Sequence, residues 1–88
     1  MRTRFKPSFK KDLKKIRDSK ILESIEIVID VVKAADTIKT VPNLIKMKGY
    51  EGFYRLRMGD YRIGIKLVND EVIFVRVLHR REIYRYFP

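Results

Sequence analysis

Residues 53–68, FYRLRMGDYRIGIKLV, constrain the fold of this chain more than any other stretch. Two alternating runs flank Gly59-Asp60, and an apolar period of two marks a half-buried strand. A two-residue loop in which Gly59 supplies a positive φ predicts a tight hairpin. Such a loop pairs Met58 with Tyr61, Arg57 with Arg62, Leu56 with Ile63 and Arg55 with Gly64. Tyr54, Leu56, Met58, Tyr61, Ile63, Ile65 and Leu67 then share one face, and Arg55, Arg57, Arg62 and Lys66 share the other. Like charges directly opposite each other destabilise a strand pair. Either the surface needs its positive charge, or the register differs.

A third strand, VIFVRVL at 72–78, follows Asn69-Asp70-Glu71. Parity tests its register, because a one-residue slip turns every side chain to the opposite face. A two-residue loop sets Arg76 against Ile63, inside the core. A three-residue loop, Asn69–Glu71, pairs Val68 with Val72 and faces Ile63, Ile65 and Leu67 with Val77, Val75 and Ile73. It also sets Arg76 against Gly64 and Phe74 against Lys66, and it is the expectation here. Arg55, Arg57, Arg62, Lys66 and Arg76 then surround a glycine gap, with no carboxylate on that face within the strands. Solvated sheet faces are polar but mix signs. Five cations without an anion describe a phosphate cradle, for which the bidentate fork of arginine is suited.

The N-terminal half supplies the cover for the apolar face. RTRFK, 2–6, alternates as a short strand, and Pro7-Ser8 breaks it, with Ser8 a plausible helix N-cap. Phe9, Leu13 and Ile16 recur at helical spacing among Lys10, Lys11, Lys14, Lys15 and Arg17, predicting a basic amphipathic helix of about ten residues. After Asp18-Ser19, an apolar stripe of Ile21, Leu22, Ile25, Val28, Ile29 and Val32 predicts a second helix. Two helices joined this closely form an antiparallel hairpin. Residues 36–52 read as irregular, with a helical turn allowed in NLIKMKG. The whole chain, 1–88, reads as one domain.

Charge narrows the partner. Twenty-one Lys and Arg against eleven Asp and Glu give +10, which favours a polyanion, most often nucleic acid. Residues 1–20 carry nine basic and two acidic side chains, net +7; residues 21–45 carry two and four, net −2; residues 46–88 carry ten and five, net +5. The two ends, rather than the middle, are the expected points of contact with a polyanion. With no cysteine there is neither disulfide nor zinc–thiolate bracing, which fits a cytoplasmic protein. No apolar run approaches the roughly 20 residues of a membrane span, and no signal-peptide core follows the basic N-terminus.

The chemistry-bearing groups lie near the C-terminus. His79, the one histidine and so the residue type best suited to acid–base work near neutral pH, stands beside Arg80 and Arg81. Tyr84 and Tyr86 in REIYRYFP suit base stacking or proton donation, and suit equally an anchor for the chain end. No D-x-D cluster or histidine pair is present, so a nuclease built on these residues works without a metal cofactor. It would cut RNA through the 2′-hydroxyl. The arginines would stabilise the pentacoordinate phosphate, and His79, a tyrosine or a cation would move the protons.

The basic strand, the G-D-Y-R turn, the strand ending VLHRREIY and the two preceding helices resemble the RelE/ParE superfamily of type II toxin–antitoxin toxins. The resemblance covers nearly the whole chain and is strongest over Tyr54–Tyr84. It implies an α+β fold, βααβββ, with an antiparallel sheet curved around the site, and a cognate antitoxin that wraps the toxin. RelE-type members cut mRNA in the ribosomal A site without a metal or other cofactor. Their basic-x-basic and Gly-Tyr-Arg motif falls on Arg55, Arg57 and Arg62, with arginine at 55 where the family usually has lysine. The later basic pair falls at Arg80 or Arg81, and the terminal tyrosine at Tyr84 or Tyr86. Lys66, Arg76, Lys10, Lys11, Lys14 and Lys15 would add RNA contacts. ParE-type members share the fold, lack this cation set and poison DNA gyrase. A relative that binds RNA or a partner without catalysis is the remaining alternative.

Overall fold

The computed structural model describes residues 1–88. One five-stranded sheet, in the order β1-β5-β4-β3-β2, is built from β1 (Arg2–Phe5), β2 (Leu44–Lys46), β3 (Phe53–Met58), β4 (Tyr61–Val68) and β5 (Glu71–His79). Helices α1 (Pro7–Lys15) and α2 (Ser19–Ala34) follow β1, and a short α3 (Ile83–Tyr86) closes the chain. All neighbouring strands are antiparallel except β1, which runs parallel to β5 from Arg2–Glu71 to Phe5–Phe74. This is the expected α+β arrangement with one strand, a 3-10 turn at Ile38–Thr40 and the short terminal helix more. Leu44–Lys46, read as irregular or helical, pairs with Leu56–Tyr54. No helix is long and apolar enough to cross a membrane.

The β3–β4 hairpin has the expected register throughout, from Phe53–Lys66 to Met58–Tyr61, and Gly59 takes φ +59° in its turn. The β4–β5 hairpin corrects the expectation. Its loop is Asn69-Asp70, two residues with φ 48° and 60°, and Val68 pairs with Glu71. Two successive positive φ values make a primed turn, which matches the twist of the strands, and Asn and Asp tolerate that region. The extra residue that parity demanded sits in the strand. Ile65 pairs with Phe74 and Gly64 with Arg76, so Val75 is bulged out of the ladder. Beyond the bulge, Gly64–Arg76 and Ile63–Val77 pair as expected. Before it, Phe74 turns away from Lys66 into the core, where it is fully buried with ring centres 5.1 Å from Phe5 and 5.4 Å from Phe9. Burying such a side chain is worth roughly 1.5–3 kcal/mol, which favours a bulge over an exposed Phe74.

Helix α1 begins with Pro7 at its first position, where the missing N–H is no loss. Ser8 is not its cap. Lys6 occupies that position without a side-chain bond, and the Ser8 hydroxyl donates instead to the Val75 carbonyl at 2.6 Å. This belongs to a larger device. β1 covers β5 only as far as Phe74, and α1 continues along the edge beyond it. Lys6 N–H donates to Phe74 O at 3.0 Å, and the Asp12 carboxylate accepts from Val77 N–H at 3.0 Å. The Lys6 backbone and the Ser8 and Asp12 side chains thus satisfy an edge that would otherwise present free backbone groups. Asp18 caps α2 by accepting from Lys20 N–H at 2.9 Å. Both helices cover the same face of the sheet. Phe9, Ile25 and Val32 join Ile38, Val41, Leu56, Ile63, Ile65, Val72, Phe74 and Val77 in one core. Of the expected stripe on α2, Ile21, Val28 and Ile29 are half-buried, and Leu22 is exposed.

Candidate functional site

The alternation of β3 and β4 places Arg55, Arg57, Arg62 and Lys66 on the sheet face away from α1 and α2. Arg57 stands directly opposite Arg62. The three ion pairs of the structure are Arg4–Glu71, Arg76–Asp12 and Arg80–Asp60, so none of these four cations has a carboxylate partner. Arg62 bends over the turn, its Nη1 donating to Gly59 O at 2.7 Å and Tyr61 O at 2.9 Å. Arg57 is exposed. Lys66 Nζ lies 5.0 Å from the centre of the Phe53 ring. Arg55 is half-buried, with its guanidinium 4.5 Å from the Tyr84 ring centre and its Nε buried without a hydrogen-bond partner.

Arg76 departs from the expected set. Its Nε donates to Asp12 Oδ2 at 2.8 Å and its Nη2 to Asp12 Oδ1 at 3.0 Å. The Asp12 side chain is 3% exposed. These bonds hold the guanidinium above the usual arginine range, partly offset by burial. The face therefore offers four cations free of acid, not five, because a carboxylate reaches it from helix α1. The only signal in the sequence was one acid set among the lysines of KKDLKK. The glycine gap is closed as well. Phe87 lies over Gly64 and is 3% exposed.

A cleft of about 720 Å³ opens at the tip of the β3–β4 hairpin, beside α2. Arg57, Arg62 and Arg80 line it, with Ile27, Val31, Leu56 and Asp60. Arg80 is also tied to the turn, through its N–H to Asp60 O at 2.8 Å and its Nε 4.0 Å from the Asp60 carboxylate. A second cluster lies on the sheet face away from α1 and α2, where Arg55 meets Tyr84 and the Arg76 guanidinium lies 5.4 Å from the Tyr86 ring centre. Both tyrosines are exposed, at 69% and 50%, and it is Ile83 and Phe87 that anchor the chain end.

His79 stands apart. It pairs with Tyr61, which puts it on the helix side of the sheet, opposite to Arg57 and Arg62. Its ring packs edge-on to Tyr61 at 5.8 Å, and its Nδ1 accepts from Arg81 N–H at 3.2 Å. The Arg81 side chain is exposed. Lys10, Lys11, Lys14 and Lys15 are exposed or nearly so along the outer side of α1, where Lys14 and Lys15 also complement the helix C-terminus.

A family model described as the ParE toxin of type II toxin–antitoxin systems, parDE, matches residues 3–84. Toxin RelE3 of Methanocaldococcus jannaschii is 40% identical over 89 aligned positions, spanning 100% of both chains. Putative toxin RelE1 of the same organism is 32% identical over 73 positions, 82% of this chain and 80% of that one. The fold is similar to that in the crystal structure of the RelB–RelE antitoxin–toxin complex from Methanococcus jannaschii. The TM-score is 0.81 at 40% identity, covering 97% of this chain and 99% of that one. The isolated Escherichia coli RelE toxin shares the fold at a TM-score of 0.65 and 12% identity, covering 98% of each chain.

Proposed function

The chain belongs to the RelE/ParE superfamily of type II toxin–antitoxin toxins, and from this premise we propose that it is a ribosome-dependent mRNA endoribonuclease. The observation that carries the reading is the Arg57–Arg62 pair. Two guanidinium groups face each other across a hairpin and neither forms an ion pair, at a cost that an anionic ligand would remove. The ligand is the scissile phosphate of mRNA. Arg57, Arg62 and Arg80 line one cleft and would hold its non-bridging oxygens as charge builds in the pentacoordinate transition state. Removing one such donor costs roughly 10²–10³ in rate.

The RNA 2′-hydroxyl is the nucleophile. Tyr84 is the favoured proton carrier, because its ring lies against Arg55 on the cationic face; His79 is turned to the other side. The exposed lysines of α1 would grip ribosomal RNA. A cognate antitoxin is the natural partner, since a 40% identical relative was crystallised as an antitoxin–toxin complex.

The test is incubation of the purified protein with ribosomes programmed with a defined mRNA, followed by mapping of the 5′ ends. Cuts inside codons that vanish with Arg57→Ala or Arg62→Ala are the expected result. Intact mRNA together with a DNA supercoiling defect in cells would overturn it in favour of a gyrase-directed toxin.

A further inference from the structure

Gly64 lies in the middle of β4, where glycine weakens a strand and marks a close approach of another group. Its backbone does not need glycine, because its φ is not positive. What needs glycine is the space. A Cβ built there would stand 2.6–2.7 Å from three ring carbons of Phe87. Phe87 is held from other sides too. Phe53 meets its ring edge-on at 5.7 Å, and its N–H donates to Ile83 O at 2.9 Å, closing the last turn of α3.

The position of this socket matters more than its tightness. The cross-strand partners of Gly64 are Arg55 on β3 and Arg76 on β5. These are the two arginines that lie against Tyr84 and Tyr86. Helix α3 has four residues, far too few to hold its own shape in water. Its orientation is set by its buried pegs, Ile83 and Phe87. Both tyrosines fall between or beside these pegs.

We propose that Phe87 seated on Gly64 is a positioning device: it fixes the terminal helix so that Tyr84 meets Arg55 and Tyr86 meets Arg76. The catalytic consequence rests on the endoribonuclease reading; the placement of the rings does not. Phe87 touches no reacting atom, and acts by setting where the Tyr84 hydroxyl stands relative to the phosphate cleft.

The test uses Gly64→Ala, Phe87→Ala and the double variant Gly64→Ala/Phe87→Leu. The Phe87 substitution leaves the sheet untouched should alanine at 64 disturb folding. NMR reports the Tyr84 ring environment and the amide protection of residues 83–87, and single-turnover cleavage on programmed ribosomes reports function. In each single variant the ring contact should be lost and amide protection should collapse. The cleavage rate should fall roughly 10²-fold, the worth of one placed proton-transfer group, with KM for the ribosome within about twofold. The double variant should regain ring contact and part of the rate, because the smaller side chain makes room for the new Cβ. Lost ring contact with an unchanged rate would reduce Phe87 to an anchor and overturn the proposal, as would an undisturbed Tyr84 ring in both single variants. If the wild-type protein leaves mRNA intact, the endoribonuclease reading falls, and the positioning is judged on the ring contact alone.

Discussion

Asp12→Ala should be among the most damaging single changes in this chain. The carboxylate is 3% exposed and accepts three hydrogen bonds, two from Arg76 and one from Val77 N–H. Removing one partner of a buried ion pair costs about 3–5 kcal/mol, because the other charge is stranded. Here the Arg76 side chain keeps 23% exposure and can recover some hydration, which lowers that figure. Against this, Val77 N–H loses its acceptor on an edge no strand covers, at about 1–3 kcal/mol. The two corrections nearly cancel, and about 3.5 kcal/mol is the expected loss. A domain of this size shifts by about 4–8 °C per kcal/mol, so the melting temperature should fall by roughly 14–28 °C. Asp12→Asn keeps an acceptor for Val77 but not the charge, and should cost about half as much. Thermal melts by circular dichroism, with guanidinium titrations as a check, measure both. Alkali gives a second handle. The Arg76 guanidinium titrates higher folded than unfolded, so its stabilisation is complete below the ordinary arginine range and is lost only as pH climbs through the folded value. The wild-type-to-Ala difference should therefore stay constant from about pH 8 to 11. A melting temperature within about 3 °C of wild type for Asp12→Ala would show that α1 does not clamp the edge of β5.

Three further outcomes are expected. Arg57→Ala should leave stability unchanged or raise it by up to about 1 kcal/mol, since it relieves the repulsion with Arg62, while cleavage drops about 10²–10³-fold; a clear loss in a thermal melt would contradict the packing of this face. RNA affinity should fall with salt at a log–log slope near −3 for about four phosphate contacts, flattening by about 0.7 in Arg57→Ala; a flat response would point to a protein target. Tyr84→Phe should keep the ring against Arg55 yet lower kcat by about 10²-fold, and an unchanged kcat would move the proton transfer elsewhere.

The β3–β4 hairpin was legible residue by residue, because Gly59-Asp60 sets the loop length and one face is buried. The same parity reasoning required one extra residue in the next hairpin but could not place it. Asn69-Asp70-Glu71 is equally good loop chemistry with two or three residues, and the bulge at Val75 is decided by where the Phe74 ring fits. Strand β2 was missed because three residues on a sheet edge carry almost no pattern. At the site, the Arg57–Arg62 pair followed from local alternation. The Asp12–Arg76 bond and the Phe87–Gly64 contact did not, since each joins segments whose approach depends on the finished fold. Periodicity reports which face a side chain takes, not which distant group will meet it there.

The pairing of β1 with β5 bears on when this toxin becomes dangerous. Arg2 must wait for Glu71, and Phe5 for Phe74, before the sheet can close. Such distant contacts are late events in folding. A nascent chain still emerging from the ribosome lacks the strand that completes its core and the tail that carries Tyr84. The order of synthesis thus withholds a complete toxin until that copy is nearly finished.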